Sequence, residues 1–494
     1  MKYKLYGLLA VLFSAVTVLV AVLILHTDDI DHNRYLQHKE ASREVYDYAI
    51  NGSVFSSHLP VVVIDTGGVE IPGKAYHNSN GTDSFTLGPD GEDEITGKIS
   101  IYDNSSNNSH PDDEVKIESS MLIHVRGNSS RFFDKSGYSI RLIDEDGQQN
   151  SVSVMGMGKH HEWVLHGPYL DKTLIRNYMW YNIAGQIMDY APEVRFCEVF
   201  VNGEYRGLYV MCESITAGED RLQLKVDKKD NTFTGYLLRL DRGSENEYKN
   251  LDNFSNYTYR ITSTVDCVYP GLSNLNDELK KSITDDFSYF EKIIYSYDYN
   301  DEKYGYRTLI DVDNFVDYFI INELTCNYDA GAFSTYIYKD LDGRFKLCVW
   351  DFNNCCDNYM EQAISYRDFG LVNRAWFKML IKDEYFVEKI IDRYKELRKD
   401  ILSEESLLSF IDDTITYLGD SVDRNYEVWD YIFESHDLHD VLIPFDRNPD
   451  NYDEAVQDLK DFLIRRGEWL DKNIESLRQY CAGSKNKIYD ANAN

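Results

Sequence analysis

Residues 322–353 read NELTCNYDAGAFSTYIYKDLDGRFKLCVWDFN, and the rest of the chain is understood from this stretch. An apolar, helix-like approach, Phe315 to Leu324, runs into a short polar turn carrying Asp329. Two β-type runs follow, Phe333–Tyr338 and Phe345–Trp350, joined through Asp342-Gly343, a hairpin signal. The second run stops at Trp350-Asp351-Phe352-Asn353. A hairpin leaves and returns at the same end, so the pattern places Asp329 and Asp351 side by side. Paired carboxylates at the mouth of a rigid scaffold suit metal-assisted phosphoryl transfer, one orienting a nucleophile and the other holding a divalent cation. Aspartates are also common in turns where strands end, and spacing alone leaves both readings open.

The 494 residues allow one large two-lobed domain or a few smaller ones. Hydrophobic residues make up 43% and aromatic residues 14%, with 39 Tyr, enough for a substantial core and too apolar for a disordered chain. A formal charge of −33 repels phosphate backbones and excludes general nucleic-acid binding. It suits divalent cations and basic protein partners.

Residues 5–25, LYGLLAVLFSAVTVLVAVLIL, carry no charge and are long enough to span a bilayer as one helix. Lys2 and Lys4 precede them and Asp28, Asp29 and Asp31 follow, which orients the N-terminus to the cytoplasm and the bulk of the chain outside. The run exceeds an ordinary signal-peptide core and no small-x-small site closes it, which favours a retained anchor (residues 1–26) over cleavage and secretion. A polar juxtamembrane stalk follows at 27–57.

The eight cysteines show no metal-finger spacing, and Cys355-Cys356 are adjacent, unlike a redox CxxC. Cys197 and Cys212 are candidates to pair across a hairpin. His160-His161 and His166 are the nearest candidates for a hydrolase metal cluster, and a surface loop is the plainer reading of them.

Strand signals begin at Leu59–Ile64, and 76–118 reads as surface loops with a strand near Gly97–Tyr102. A strand–loop–strand follows: Met121–Val125, then Arg126-Gly127-Asn128-Ser129-Ser130, then Lys135 ahead of Ser139–Leu142. A Gly/Ser turn with a basic side chain nearby can hold an anion, and no Walker A sequence follows it. Residues 171–188 are spaced as an amphipathic helix with Asp171 as N-cap, Arg176 standing among apolar neighbours as either a buried ion pair or a ligand. Cys197–Val201, Asn202-Gly203-Glu204 and Gly207–Met211 form a hairpin, with Glu213 just past its end. Residues 219–265 read as an insertion with strands at Gly235–Leu240 and Tyr257–Thr262. From 371 to 480 the pattern is a helical bundle, with Ser403 and Asp450 as caps, before a polar tail at 481–494.

In order, RGNSSRFFDKSGYSIRL (126–142), WVLHGPYLDKTLIRN (163–177), FVNGEYRGLYVMCESI (200–215), NELTCNYDA (322–330) and YIYKDLDGRFKLCVWDFN (336–353) resemble the spore-coat CotH kinase family, as does the helical 376–402 region. The resemblance covers roughly 58–480. It implies an α+β, atypical protein-kinase-like two-lobed fold behind the transmembrane helix, with a β-rich N-lobe at 58–213 and a C-lobe at 214–480. It implies ATP and Mg²⁺ or Mn²⁺ as cofactors and transfer of the γ-phosphoryl group to Ser/Thr of a protein substrate. The acidic surface adds the expectation that this substrate is basic.

Residue by residue, the resemblance makes Asp329 the catalytic-loop aspartate and Asp351, with Asn353, the metal set. It places Arg126, Gly127, Asn128, Ser129, Ser130 and Lys135 at the phosphates. The 171–188 helix takes the place of helix αC, and because it contains no Glu, Arg176 is the candidate to serve the phosphates instead. Cys212-Glu213-Ser214 takes the place of the adenine-binding hinge. Asn353 stands where the family often has an acid, and Ser334 and Thr335 stand where a kinase supplies a metal-binding Asn. A non-catalytic surface protein that keeps this scaffold for binding is the alternative.

Overall fold

The computed structural model describes residues 34–40, 55–104, 108–225, 233–244, 246–258, 263–358, 364–434 and 448–481. The expected anchor at 5–25, most of the stalk and the tail beyond 481 lie outside them. Among the described residues, no helix is long and apolar enough to cross a membrane. The body is mixed α+β, a β-rich first part followed by a smaller sheet packed among helices.

Thirteen strands form in chain order: β1 Val61–Asp65, β2 Ala75–His77, β3 Asp83–Phe85, β4 Ile95–Tyr102, β5 Ile117–Arg126, β6 Gly137–Ile143, β7 Glu162–His166, β8 Val194–Val201, β9 Glu204–Glu213, β10 Tyr236–Asp241, β11 Thr264–Tyr269, β12 Thr335–Lys339 and β13 Lys346–Cys348. Seven of them close a barrel in the order β1-β4-β5-β6-β7-β9-β8. Closure comes from β1, whose VVVI run pairs antiparallel with β4 and parallel with β8, Val61 opposite Glu198 and Ile64 opposite Val201. Along β4 and β5 every second side chain is buried, the period expected of a strand with one face on a core. Val62, Ile64, Ile99, Ile123, Leu165 and Val199 belong to that interior core. Closing the sheet leaves no unpaired edge, where the kinase resemblance implies a two-lobed fold with an N-lobe sheet.

The β8–β9 turn is the expected Asn-Gly turn, with Asn202 and Gly203 both at positive φ (50° and 83°). Its register sets Cys197 opposite Tyr209 and Cys212 opposite Val194. The two cysteines are therefore not partners across the hairpin, and all eight cysteines are free thiols.

The second sheet runs β11-β10-β12-β13. Within the 219–265 stretch the strand expected at Gly235–Leu240 forms as β10, an inner strand paired with β11 on one side and β12 on the other. Of the strand expected at Tyr257–Thr262, residues 259–262 lie outside the described set, Tyr257 and Thr258 close a helical turn (Phe254–Thr258), and the next described strand is β11.

The longer helices are α1 Arg176–Ala184, α2 Asp277–Ile294, α3 Val312–Leu324, α4 Glu384–Leu397, α5 Glu404–Leu418, α6 Asp420–Trp429 and α7 Tyr452–Asn473. Ser403 caps α5 by accepting from Ser406 N–H, as expected, whereas Asn451 rather than Asp450 caps α7. All of α1 and every residue of α3 but Asp313 are buried. One apolar core joins α1, the second sheet and the helical region, so α1 is gripped from both parts of the body.

Candidate active site

Topology explains why acidic residues gather at one place. Strands β10 and β13 both run antiparallel to β12. The C-terminal ends of β10 and β13 therefore meet the N-terminal end of β12 at one edge of the sheet. Asp241 ends β10, Ser334 precedes β12 and Asp351 lies three residues past β13. The turn carrying Asp329 enters at the same edge, its carbonyl accepting from Ala332 N–H (3.0 Å) and Phe333 N–H (2.8 Å). Hairpin and turn thus deliver Asp329 and Asp351 together, as the spacing implied.

Asp351 is close enough to disturb Asp329. Burial, then the negative charge of Asp351, pushes the Asp329 carboxyl up to about 6, with Asp241 adding to the shift and Arg242 opposing it. Burial also raises Asp351, against the pull of Arg126 and with Asp241 pushing the same way. Both aspartates are half-buried.

The backbone here is held in an unusual state. Ser334 (φ 47°) and Asp351 (φ 58°) are both left-handed non-glycine residues, as are Cys326, Cys356 and Asp357 nearby in the chain. Such residues persist only where surrounding contacts enforce them, and they concentrate at functional sites. The enforcing contacts come from α1. Tyr181 Oη accepts the Asp351 N–H at 3.0 Å, and Asn177 Oδ1, one helical turn earlier, accepts the Phe352 N–H at 2.9 Å. Trp350 stacks on the Tyr181 ring (5.5 Å, 29°), and the Arg126 guanidinium lies over the Trp350 ring at 5.5 Å.

That hydrogen-bond chain sets the orientation of Asn353. Phe352 N–H can only donate, so Asn177 meets it with Oδ1 and turns Nδ2 to Asn353 Oδ1 (2.8 Å). Asn353 then points Nδ2 at Asp351 Oδ1 (2.6 Å). As a result Asn353 faces Asp351 as a hydrogen-bond donor, and its oxygen is engaged, where the family resemblance implied a metal ligand. A ligand role for Asn353 requires the amide to turn over. Among the described residues, no three His, Cys, Asp or Glu side chains are gathered as a metal cage. The carboxylates themselves fit a divalent cation, since acids raised by burial and by neighbouring negative charge are what a bound cation relieves.

The 126–130 loop reaches this edge through two residues. Arg126 acts on Asp351, and Asn128, with its amide oxygen toward Arg242, accepts from Nε (2.8 Å) and Nη1 (2.9 Å). Arg242 also covers the Phe333 ring at 4.2 Å. Gly127 sits at φ 121°, where a Cβ would meet Ser130 Oγ at 1.9 Å, so only glycine makes this turn ahead of the Ser129–Phe132 3₁₀ turn.

Three predicted residues go elsewhere. Lys135 is buried, with Nζ donating to the Leu208 carbonyl (2.7 Å) and Asn425 Oδ1 (2.6 Å), which binds the barrel to α6 rather than reaching the acidic edge. Arg176 is the buried-pair alternative: Nη1 donates to Asp171 Oδ1 (2.6 Å) and Nε to the Cys355 carbonyl (3.1 Å). Asp171 caps α1 from a distance, Oδ2 accepting from Arg176 N–H at 2.9 Å, although it is not the N-cap residue itself. Glu213 is buried, with Oε1 on Arg221 Nη1 (2.6 Å) and Oε2 on Glu193 N–H (3.1 Å). The expected hinge backbone is also engaged: Cys212 is paired with Val164 and Val194, and Glu213 N–H donates to the Glu193 carbonyl at 3.0 Å. Strand β9 is an inner barrel strand here, which leaves little main chain free for a base.

His160 and His166 are both buried, and burial drops them to about 4 and about 3, so neither is the surface residue expected. Sequence reasoning missed Asp241, Arg242 and Tyr181. Only an early recognition of β10 as an inner strand would have pointed to the first two. A groove of about 810 Å³ lies between α3 and α4, lined by Asp313, Asp317 and Glu388 among others, and shares no lining residue with the acidic edge.

A barrel and a small sheet bring paired aspartates and two arginines, Arg126 and Arg242, together at one edge. The family described as CotH kinase protein matches residues 123–470, and the chain belongs to the CotH kinase family. No curated protein matches the sequence. Strands β1 and β4, which close the barrel, precede the matched span.

Proposed function

We propose that this protein is an atypical kinase-like phosphotransferase that moves the γ-phosphoryl group of ATP to Ser/Thr hydroxyls of a protein substrate. The observation that carries the reading is the pair Asp329 and Asp351, gathered with Asp241 at one sheet edge where Ser334 and Asp351 take left-handed backbone. Asp329, raised to about 6, is placed to take the hydroxyl proton near neutral pH. Asp351 is the residue to hold Mg²⁺ or Mn²⁺, which when bound neutralises phosphate charge. Arg126 and Arg242 flank the phosphates, with Gly127, Ser129 and Ser130 shaping the loop between them. The two-lobed kinase comparison, with 58–213 as one lobe and 214–480 as the other, belongs to this proposal. So do a basic substrate segment and an extracytoplasmic body held to the membrane by residues 5–25.

A second reading, a nucleotide-binding surface protein without catalysis, is favoured by the donor orientation of Asn353. Incubating the ectodomain with γ-labelled ATP and Mg²⁺ or Mn²⁺ separates the two. Label on the protein or on a basic substrate, lost in Asp351→Asn, supports transfer. MgATP binding without label supports the second reading.

A further inference from the structure

Residues 34–40 lie across the body as a strap, and their contacts reach α1, the chain just after it, β8 and α5. Arg34 donates from Nε to Asn182 Oδ1 (3.0 Å) and from Nη1 to the Ala191 carbonyl (2.8 Å), with Nη2 on the Pro192 carbonyl. It crosses Gly185 so closely that a Cβ there would meet Arg34 Nη1 at 2.5 Å. Gln37 is buried and its amide imitates a strand partner, Oε1 accepting Phe196 N–H (2.7 Å) and Nε2 donating to the Phe196 carbonyl (3.2 Å). His38 N–H donates to Tyr178 Oη (3.2 Å), and the His38 ring packs on Phe410 of α5 at 4.4 Å. Burial lowers His38 to about 4, so it packs as a neutral ring.

The strap therefore touches α1 at Tyr178 and Asn182 and its C-cap at Gly185, spaced i, i+4 and i+7 along one row. Asn177 and Tyr181, on the adjoining row, hold Asp351 to Asn353. One nine-residue helix thus carries both sets of contacts. A short, fully packed helix moves as a unit, so a shift on one row reaches the other.

We propose that residues 34–40 are a positioning strap: seated, they hold α1 where Asn177 and Tyr181 keep the Asp351 segment in its left-handed form, and displacing them relaxes that segment. Tension or a partner acting on the chain N-terminal to residue 34 would then be transmitted to the site. The effect on nucleotide rests on the phosphotransferase reading. The mechanical coupling does not.

The test is hydrogen–deuterium exchange on the full chain carrying Gln37→Ala, with Tyr178→Phe as a milder variant that removes one hydroxyl and leaves the strap otherwise seated. Faster exchange is expected in 176–184 and in 350–354, with β4–β5 unchanged. Exchange confined to 34–40 in both variants overturns the strap. A companion titration with MgATP is expected to weaken by on the order of tenfold. Unchanged affinity alongside faster exchange at 350–354 removes the regulatory claim while leaving the coupling. Failure of wild type to bind MgATP at all counts against the phosphotransferase reading and not against the exchange result.

Discussion

The Asp351 N–H is held by the Tyr181 hydroxyl at 3.0 Å. The residue read as the cation holder therefore takes its left-handed conformation from a tyrosine 170 positions earlier in the chain. Asn177, one turn before Tyr181, holds the next N–H and, through Asn353, the Asp351 carboxylate. In this protein α1 supplies the site with hydrogen bonds rather than with the Glu of a Lys–Glu pair.

Replacing Asn177 with Leu, close in size, leaves the buried Phe352 N–H without an acceptor. Such a group costs about 1–3 kcal/mol, and a fall in stability of that size is expected in chemical denaturation. It also frees Asn353 to turn. If α1 sets the geometry of Asp351, the shift in melting temperature on adding Mg²⁺ should change along with stability. A stability loss with an unaltered Mg²⁺ response would make Asn177 purely structural.

Asn353→Asp introduces the acid that the family resemblance implies at this place. The new carboxylate lies beside Asp351, and like charges at such distance disfavour one another. The variant should be less stable than wild type without metal at pH 7 and should gain more from Mg²⁺ or Mn²⁺. Calorimetric titration with each ion checks this. Equal affinity in variant and wild type would exclude position 353 from the cation's surroundings.

Asp329 carries a pH signature. Its folded value of about 6 lies above the ordinary aspartate value, so the folded state binds the proton more tightly than the unfolded chain. The sign follows: its contribution is fully present below about pH 4 and is lost as pH rises through 6. Asp329→Asn removes that loss. The variant should be more stable than wild type at pH 7.5, by about 1–3 kcal/mol, and equal to it near pH 4. Phosphoryl transfer by wild type should rise with pH through 6 and be absent in the variant. Parallel stability curves for the two proteins would refute the raised carboxyl.

What could be read in the sequence was local. The Asp342-Gly343 turn and the alternating runs around it are sufficient to bring Asp329 and Asp351 to one end of a hairpin, because the geometry closes within 30 residues. Asp241 and Arg242 were illegible, since β10 joins that edge only by pairing with a strand some hundred residues later. Barrel closure was hidden for the same reason: a run of valines at 61–63 does not announce a parallel partner at 198–200. Lys135 was misplaced because a basic residue after a Gly/Ser loop says nothing about which face of the strand it takes. Here it turns to Asn425, 290 residues later, on a helix that nothing local links to it.

The pair Glu323 and Arg466 tests how α3 is kept in register behind the site. Arg466 is fully buried, and its Nη2 donates to Glu323 Oε1 (2.7 Å) and to the Glu323 carbonyl (2.8 Å). Nη1 takes the carbonyls of Tyr366 (2.8 Å) and Asp368 (2.7 Å). The Glu323 carboxylate also accepts the N–H groups of Gly370 and Leu371. Each charge is matched by hydrogen bonds, so removing one partner strands the other in an apolar interior. Arg466→Met is expected to cost about 3–5 kcal/mol, and the double change with Glu323→Leu distinctly less than twice that. Asp329 follows the end of α3 by five residues, so the single variant should also unsettle the turn that carries it. Faster amide exchange across 325–334, absent from the barrel strands, would be the mark of that coupling. Uniform exchange throughout the body would instead mean that the pair stabilises the fold without steering the site.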